Sequence, residues 1–295
     1  MKVIRVCIQP NTFNITSMQD KQNPYIDIKH AVQETEAAKE HRALVGLYGN
    51  SVVVYRIETD ESLPDLVFVA NGGLSLPRLP EPVVILPLMK YSQRKRELPY
   101  LKNMYDDLGV RRIVFPGPAP FEGQAEIKWF KGGELAVAGY GHRSTKKTVE
   151  ILDKLLGKIY RKAGVNPPKI LALPLESDDY YHLDVAMLEF GRRGLPGLHA
   201  DECIVHKRAF SEKSIARLKE FLGAHAVHVI DTADSFCLNS VVDGKNLITH
   251  KITDPKAKEA IEYITGLKIR EVDTREFEKS GGSVRCMTLD IHVRT

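Results

Sequence analysis

Short apolar runs and amphipathic stretches alternate along the whole chain. The runs are rich in Val, Ile and Leu and end in polar or glycine-containing turns, a pattern that predicts short β-strands. Residues 1–8 have the same character and are predicted to form the first strand. The further predicted strands are 51–57, 65–70, 83–88, 112–115, 134–139, 169–173, 186–190, 227–230, 240–242, 246–250, 268–272 and 287–293.

The stretches between these strands carry apolar residues at helical spacing. In residues 145–163, which follow a Ser-Thr start, Val149, Leu152 and Leu156 share one face. Single helices between strands indicate a repeated α/β unit, and no low-complexity linker divides the chain, so we expect one domain over residues 1–295. The other predicted helices are 28–41, 97–108, 211–222 and 254–265.

Composition and charge exclude several classes of protein. The 295 residues are 43% hydrophobic and 27% charged, which is typical of a globular protein with a large core. The net charge of +4 is nearly balanced, and the densest basic run, residues 90–96, is interpreted as a solvated loop or helix start. We therefore expect no nucleic-acid partner.

No targeting segment, membrane span or cofactor motif is recognised. The first strand is too short and too charged for a signal peptide, and no apolar run approaches the length of a membrane span. No CxxC pair, HExxH, Walker loop or GxGxxG occurs, so neither a metal nor a cofactor is expected. A reducing, cytoplasmic location is predicted by four widely separated cysteines: Cys7, Cys203, Cys237 and Cys286.

The segment GGSVRC at residues 281–286 suggests a reactive thiol. It places Cys286 after a glycine pair and beside Arg285, and a nearby cation favours the thiolate. We expect Arg285 either to act on the thiolate or to point to solvent. We expect the glycine pair to let a substrate approach the backbone. A nucleophilic cysteine also needs a histidine and a carboxylate from elsewhere in the chain.

Three further segments supply such residues. Glu122 lies in a Phe-Glu-Gly loop, and Asn71 ends an apolar run with an Asn-Gly turn. His182 and Asp184 are two residues apart, so in an extended segment both point to the same side. Each motif alone is weak, because a His-x-Asp pair is also a common structural hydrogen-bonded pair.

Taken together and in this order, the motifs resemble the pentein, or guanidino-group-modifying, superfamily. Its members include arginine deiminases, dimethylarginine dimethylaminohydrolases, arginine dihydrolases and amidinotransferases. The segments GHRST at 141–145 and CLNSVVDG at 237–244 are also similar to family motifs, and the resemblance covers nearly the whole chain. It implies a five-bladed α/β propeller with pseudo-fivefold symmetry and a central active site, a number of blades that patterning alone does not give.

The resemblance also implies roles for the four main candidates. Cys286 matches the nucleophile, His182 the general acid and base, and Glu122 the carboxylate that orients the histidine. Asp184 matches the carboxylate that grips the guanidinium through paired, charge-assisted hydrogen bonds. The thiolate would attack the guanidinium carbon, and His182 would protonate the departing amine and then deprotonate a water.

Asn71 bears on which branch the chain belongs to. Arginine deiminases and most dimethylarginine hydrolases have aspartate there, whereas arginine dihydrolases, which make ornithine, carbon dioxide and two ammonia molecules, have asparagine. An amide can accept from a guanidinium and also donate to a ureido oxygen, so it suits a site that must hold citrulline for a second attack. The alternative is that Asn71 only fits the left-handed turn that Asn-Gly often forms.

The remaining substrate-binding candidates come from the resemblance. Arg143 is the expected clamp for the substrate α-carboxylate, since arginine suits bidentate recognition of a carboxylate. Asn23 matches a position near the substrate in the dihydrolase branch. Where related enzymes often have arginines, this chain has Lys90 and Arg94, and Lys90 is expected to replace an arginine.

Two more positions are assigned to the pocket on the same basis. Glu126 stands where relatives usually have aspartate, and its longer side chain is expected to shift the pocket. Ser280 occupies a position that is usually small and is expected to line the site.

The sequence thus predicts a hydrolase that acts on a small guanidino substrate, with arginine dihydrolase favoured. The enzymatic alternatives are a dimethylarginine dimethylaminohydrolase, a citrulline-releasing arginine deiminase and an amidinotransferase. A catalytically silent binding protein of the same fold is the alternative from another class, but it would not need Glu122, His182, Asp184 and Cys286 together. The sequence leaves the oligomeric state open, a homo-oligomer included.

Overall fold

The strands of the chain form five separate sheets. A computed structural model describes residues 2–15, 23–26, 29–59, 62–191 and 200–293, in which each sheet has three strands. The strands are β1 (Lys2–Ile8), β2 (Val52–Tyr55), β3 (Leu74–Ser75), β4 (Val83–Leu86), β5 (Arg111–Val114), β6 (Ile127–Phe130), β7 (Leu135–Tyr140), β8 (Lys169–Pro174), β9 (Met187–Phe190), β10 (Glu202–His206), β11 (Val227–Ile230), β12 (Val241–Asp243), β13 (Asn246–His250), β14 (Lys268–Val272) and β15 (Leu289–Val293).

The longer helices connect strands within a sheet. Thr145 caps the N-terminus of the longest one through a reciprocal pair of hydrogen bonds with Thr148, and the basic pair Arg161 and Lys162 lies in its last turn. The helices are α1 (Glu34–Tyr48), α2 (Ser92–Lys95), α3 (Leu98–Asp107), α4 (Lys146–Lys162), α5 (Leu183–Ala186), α6 (Glu212–Leu222), α7 (Pro255–Thr265) and α8 (Arg275–Glu278).

All five sheets share one topology. The middle strand pairs antiparallel with one neighbour and parallel with the other, and a helical crossover joins the two parallel strands. In the first sheet the antiparallel partner of β1 is β15, with Ile4 opposite Ile291. The last strand therefore closes the sheet that the first strand begins. The repeated α/β unit predicted from the sequence is confirmed.

Several predicted elements differ from the structure. Residues 65–70 form turns and part of a 3₁₀ helix (Val69–Gly72) instead of a strand, because their apolar side chains are buried without pairing in a sheet. Strands β3, β6 and β10 were not predicted. In β6 the fully buried Lys128 interrupts the apolar run, with its Nζ 2.6 Å from Oε2 of Glu189.

Two boundaries also shift. Helix α1 begins at Glu34 and ends at Tyr48, whereas the prediction was 28–41. Strand β15 begins at Leu289, two residues later than predicted, because Met287 still belongs to the turn that carries Cys286. Within the described residues, no helix combines the length and the apolar character needed to cross a membrane.

Candidate active site

The candidate catalytic residues occupy equivalent positions in the five sheets. Each comes from the turn or short helical segment that leads into the antiparallel outer strand of a sheet. Asn71 precedes β3, Glu122 precedes β6 and His182 precedes β9, while Asn239 precedes β12 and Cys286 precedes β15. A single repeated structural position thus supplies residues that are far apart in the sequence.

Cys286 lies between a carboxylate and an amide. Its Sγ is 3.5 Å from Oδ2 of Asp184 and accepts a hydrogen bond of 3.2 Å from Nδ2 of Asn239. The residue is 4% exposed. Burial, and then the charge of Asp184, raise the pKa of the thiol well above its usual range. Without substrate, Cys286 is therefore a protonated thiol.

The glycine pair before Cys286 has a structural use. Gly281 has a φ of 87°, and a Cβ on it would lie 2.6 Å from Oδ1 of Asn23. A Cβ on Gly282 would overlap the ring of Phe68. The pair thus makes room for protein side chains, which hold the turn in front of Cys286, and the approach of a substrate to its backbone stays a prediction.

Asp184 is a fully buried carboxylate with an unsatisfied oxygen. Its Oδ1 has no hydrogen-bond partner among the described residues. Burial raises the pKa of Asp184, and the charges of His182, Lys128 and Arg285 oppose this effect. A buried oxygen of this kind is suited to a cationic ligand, because an unpaired buried acceptor is costly.

The local backbone here differs from the extended segment that the sequence suggested. His182 is extended, with φ −132° and ψ 156°, but Asp184 lies in the helical turn α5. The two side chains still face the same site, since the charge of Asp184 acts on the imidazole and that of His182 on the carboxylate.

His182 and Glu122 form the second part of the site. The distance from Nε2 of His182 to Oε2 of Glu122 is 2.9 Å. Because an ionised carboxylate only accepts, Nε2 carries the proton. Burial lowers the pKa of His182, and the bond to Glu122 opposes it. Burial alone would raise the pKa of Glu122, but Arg143 and His182 hold it well below its usual range.

Arg143, the expected carboxylate clamp, contacts the catalytic set directly. Its Nη1 donates to Oε2 of Glu122 at 2.8 Å, and its guanidinium lies between the rings of Tyr91 and Tyr181, 5.0 and 4.9 Å from their centroids. Arg143 therefore holds Glu122 in place through Nη1, and its Nε–H has no partner among the described residues.

Lys90 lies at the exposed rim beside Arg143. Its backbone N–H donates to Oε1 of Glu122 at 3.1 Å, and its Nζ donates to the carbonyl of His142. The same Nζ lies 5.6 Å from the ring centroid of Tyr91, the ring that Arg143 also contacts. Two cations thus flank one aromatic ring above the catalytic residues.

The predicted contact between Arg94 and the substrate does not fit the structure. Arg94 is buried, and its Nε and Nη2 donate to the two oxygens of Glu97 at 2.9 and 3.0 Å. Nη1 donates to Oδ1 of Asn71 at 2.8 Å, and Nη2 also reaches the carbonyls of Asp65 and Phe68. Its guanidinium lies behind Asn71 and not in the substrate pocket.

The purely conformational interpretation of Asn71 is wrong. Among the described residues, the non-glycine residues with positive φ are Arg78 and Lys131. Asn71 lies in the 3₁₀ helix Val69–Gly72 and needs no left-handed backbone. Its side chain is instead directed between Arg94 and His182, with Nδ2 3.4 Å from Nε2 of the histidine.

Asn23 and Ser280 stabilise the turn before Cys286. Oδ1 of Asn23 accepts from the backbone N–H groups of Tyr25 and Ile26, and its Nδ2 donates to the carbonyl of Ser280 at 3.1 Å. The hydroxyl of Ser280 donates to Oδ1 of Asp65 at 3.4 Å. These contacts are structural, and substrate contacts by either residue stay a prediction.

Glu126 lies behind Glu122. It is buried, and the negative charge of Glu122 acts on its carboxyl group. Burial, and then the negative charge of Glu122, raise the pKa of Glu126 well above its usual range. The structure thus relates Glu126 to Glu122, and the predicted shift of the pocket stays a prediction.

Asn239 is a site residue that sequence reasoning did not select. Its Nδ2 donates to Sγ of Cys286 and to the carbonyl of Asp184, and its Oδ1 accepts from the N–H groups of Arg285 and Cys286. Arg285 neither contacts the thiol nor points to solvent. It is buried, and its Nη1 donates to Asp290 at 2.8 Å.

Within the described parts of the chain, no group of three or more His, Cys, Asp or Glu residues could hold a metal ion. Cys286, Asp184, His182 and Glu122 are all buried.

Sequence relatives are found among guanidino-group enzymes, although no protein-family model matches the chain. The bifunctional arginine dihydrolase/ornithine cyclodeaminase ArgZ of Synechocystis sp. is 25% identical over 275 residues, 91% of this chain and 35% of ArgZ. The N(G),N(G)-dimethylarginine dimethylaminohydrolase of Mycobacterium tuberculosis is 28% identical over 275 residues, 92% of this chain and 80% of that protein. The chain therefore spans about a third of ArgZ and most of the second relative.

Solved structures share the fold. The N-terminal domain of ArgZ covalently bound to a reaction intermediate superposes with a TM-score of 0.81 at 22% identity, over 98% of this chain and 97% of that one. A dimethylarginine dimethylaminohydrolase adduct with S-methyl-L-thiocitrulline gives a TM-score of 0.69 at 18% identity, over 97% and 98%. The sequence relatives agree with the superfamily predicted from the motifs, and the solved structures show that this chain shares their fold.

Proposed function

We propose that this chain, which belongs to the pentein superfamily of guanidino-group-modifying enzymes, is a guanidine hydrolase that converts L-arginine to ornithine, carbon dioxide and two ammonia molecules. One observation carries the proposal: the thiol of Cys286 lies 3.5 Å from Asp184, a buried carboxylate whose other oxygen has no partner among the described residues. A planar cation bound to that carboxylate would place its central carbon beside the sulfur.

The architecture proposed for this enzyme is a single catalytic domain over residues 1–295, in which the five sheets close into a five-bladed propeller. The antiparallel pairing of β15 with β1 supports closure, because it joins the two ends of the chain in one sheet. A cytoplasmic location is proposed with it, and the four free thiols support a reducing compartment.

The first half of the reaction forms a covalent intermediate. Burial and the charge of Asp184 keep Cys286 protonated. A guanidinium bound to Asp184 offsets that charge, and the thiol proton passes to His182. The thiolate attacks the guanidinium carbon, and the imidazolium then protonates one amino group, which leaves as ammonia. Glu122 stabilises the positive charge on His182 during this step.

The second half uses water. Neutral His182 removes a proton from a water, the resulting hydroxide attacks the amidino carbon, and the sulfur leaves to give citrulline. A second attack by Cys286 on citrulline, followed by a second water, releases ornithine, carbon dioxide and the second ammonia. The N–H groups of Asn71 would hold the ureido oxygen for this second cycle, because Oδ1 is already bonded to Arg94.

Arg143 and Lys90 are proposed to bind the α-carboxylate of the substrate. Both lie beside Tyr91, and Arg143 keeps a free Nε–H. A carboxylate at this rim would place the guanidinium of the same molecule over Asp184, which favours a free amino acid over an arginine in a protein.

A dimethylarginine dimethylaminohydrolase is the second candidate. The observation in its favour is the Mycobacterium tuberculosis relative of that name, which aligns over 80% of its length. Such an enzyme would release citrulline and an alkylamine and would have no use for a second attack. The amide at Asn71, in place of the aspartate that most of these enzymes carry, favours the dihydrolase.

A product assay tests the proposal. The purified chain is incubated with L-arginine and, in parallel, with asymmetric dimethylarginine, and citrulline, ornithine and ammonia are measured. We expect ornithine with two ammonia per arginine, and no product from Cys286→Ser. Citrulline as the final product would support a deiminase or the second candidate, and turnover only with an added amine would indicate an amidinotransferase. No turnover of any guanidine would refute the proposal in favour of a silent binding protein.

A further inference from the structure

We propose that Arg94 determines whether citrulline is kept for a second attack, by fixing the amide of Asn71 so that its N–H groups face the catalytic side chains. This inference rests on the proposed function, because citrulline is an intermediate only if the chain is a dihydrolase. Arg94 acts through Asn71 and does not contact the substrate, so it is a positioning residue.

The orientation of the amide follows from the chemistry of the contact. Nη1 of Arg94 lies 2.8 Å from the Asn71 side chain, and a guanidinium can only donate. The Asn71 atom at this distance must therefore be the acceptor, Oδ1. In the reversed orientation, two donors would face each other at hydrogen-bond distance between two buried side chains, which is unfavourable.

Arg94 is itself unable to turn away. The residue is 3% exposed. Its guanidinium is held by both oxygens of Glu97 and by the carbonyls of Asp65 and Phe68. The planar fork of an arginine makes all these bonds in one rigid arrangement. The position of Oδ1 of Asn71 is therefore fixed by its hydrogen bond from Arg94.

The N–H groups of Asn71 have only weak partners on the catalytic side. Nδ2 lies 3.5 Å from the carbonyl of Glu122 and 3.4 Å from Nε2 of His182. That nitrogen carries the proton that it donates to Oε2 of Glu122, so it cannot accept from the amide. At least one N–H of Asn71 is thus free to donate to a ligand.

A fixed donor at this place discriminates between substrate and intermediate. The nitrogens of a guanidinium are donors, and two donors do not bind each other. The carbonyl oxygen of citrulline is an acceptor and forms a hydrogen bond with the amide. Asp184 binds the cation in the first cycle, whereas the Asn71 donor strengthens binding only after the first ammonia has left.

The partition between the two products tests this role. In Arg94→Lys the charge remains, but one ammonium cannot bond Glu97 and Asn71 as the fork does, so the amide is free to reverse. We expect citrulline released per ornithine to rise about tenfold, from the loss of one donor to a buried acceptor. The matched control is Tyr105→Phe, because the Tyr105 hydroxyl donates to the carbonyl of Gly72 in the same 3₁₀ helix without touching the amide.

The outcomes separate the inference from the proposed function. If the wild-type chain hydrolyses no guanidine, the proposed function fails. If it makes ornithine but Arg94→Lys keeps the wild-type product ratio, the inference alone is overturned, as it is if Tyr105→Phe shifts the ratio equally. Should Arg94→Lys not fold, Asn71→Asp replaces it, because aspartate still accepts from Arg94 but presents an acceptor to the site. An unchanged ratio in that variant also overturns the inference.

Discussion

Oδ2 of Asp184 lies 3.5 Å from Sγ of Cys286, so the carboxylate proposed to bind the substrate also opposes ionisation of the nucleophile. Burial and this negative charge together raise the pKa of the thiol. A bound guanidinium would pair with Asp184 and remove the opposition. Because the thiolate is the reactive form, Cys286 stays unreactive until a cationic substrate binds to Asp184.

Replacing Asp184 should separate these two effects. In Asp184→Asn the pKa of Cys286 should fall, since the nearest negative charge is gone, while turnover of arginine should drop about 10³-fold or more through loss of the cation site. An ultraviolet titration of thiolate absorbance, with Cys286→Ser subtracted to remove the other thiols, measures the first effect. A thiolate that appears at the same pH as in the wild type would contradict this account.

Asn239 should support the thiolate. Its Nδ2 donates to Sγ of Cys286 at 3.2 Å, and a hydrogen bond to a charged group contributes about 1.5–3 kcal/mol. Asn239→Ala should therefore raise the pKa of the thiol further and lower kcat about 10- to 100-fold.

A neighbouring residue provides the control for Asn239. The hydroxyl of Ser240 donates to the carbonyl of Cys237 in the same turn and does not touch the nucleophile. Ser240→Ala should lower the free energy of unfolding slightly and leave the pH dependence of thiolate formation unchanged. Equal losses of kcat in the two variants would mean that the turn, and not the amide, is what matters.

Glu122 and Arg143 should shift the titration of His182 in opposite directions. Burial lowers the pKa of this histidine, Arg143 lowers it further, and Glu122 raises it. Glu122→Gln should thus lower the pKa of His182 and reduce kcat about 10²-fold or more, whereas Arg143→Gln should raise the pKa. Histidine resonances followed by NMR against pH measure both shifts, and shifts of the same sign would refute this electrostatic account.

The sequence allowed the catalytic set to be predicted for a reason visible in the structure. Cysteine, histidine and carboxylate side chains can do chemistry that few other residue types can do, so the motifs around Cys286, His182, Glu122 and Asp184 are recognisable. Asn239 was not selected because an amide in a turn has many structural uses. Its equivalence with the other site positions appears only when the five sheets are compared.

The fold was predictable where a strand consists of buried apolar residues. It was not predictable where apolar residues are buried outside a sheet or where a charged residue is buried inside one. Residues 66–70 are apolar because they are buried in a turn, and in the sequence such a run has the pattern of a strand. Strand β6 was missed for another reason: the charged residue Lys128, buried beside Glu189, interrupts its apolar run. The role of Arg94 was hidden for a related reason, because a basic run gives no sign that one member is turned inward against Glu97.

His250 holds together the two segments that surround Cys286. Its Nε2 is 3.0 Å from Oδ1 of Asp234, and its Nδ1 is 3.1 Å from Oε1 of Glu278. Asp234 begins the turn that carries Asn239, and Glu278 lies just before the glycine turn that leads to the nucleophile. Burial works against the charge, but the two carboxylates raise the pKa of His250 to about 9.

The contribution of His250 to stability should therefore disappear at high pH. Its pKa is about 6.5 in the unfolded chain and higher in the folded one, so the stabilisation is complete below about pH 6.5 and is lost as pH rises through about 9. Urea unfolding of His250→Gln should show a loss on the order of 3 kcal/mol at about pH 6 and much less at about pH 10. His41→Gln is the control, because burial lowers the pKa of His41 to about 4 and its effect should not vary above neutral pH. A loss in His250→Gln that stays constant with pH would mean that the residue acts by packing and not by its charge.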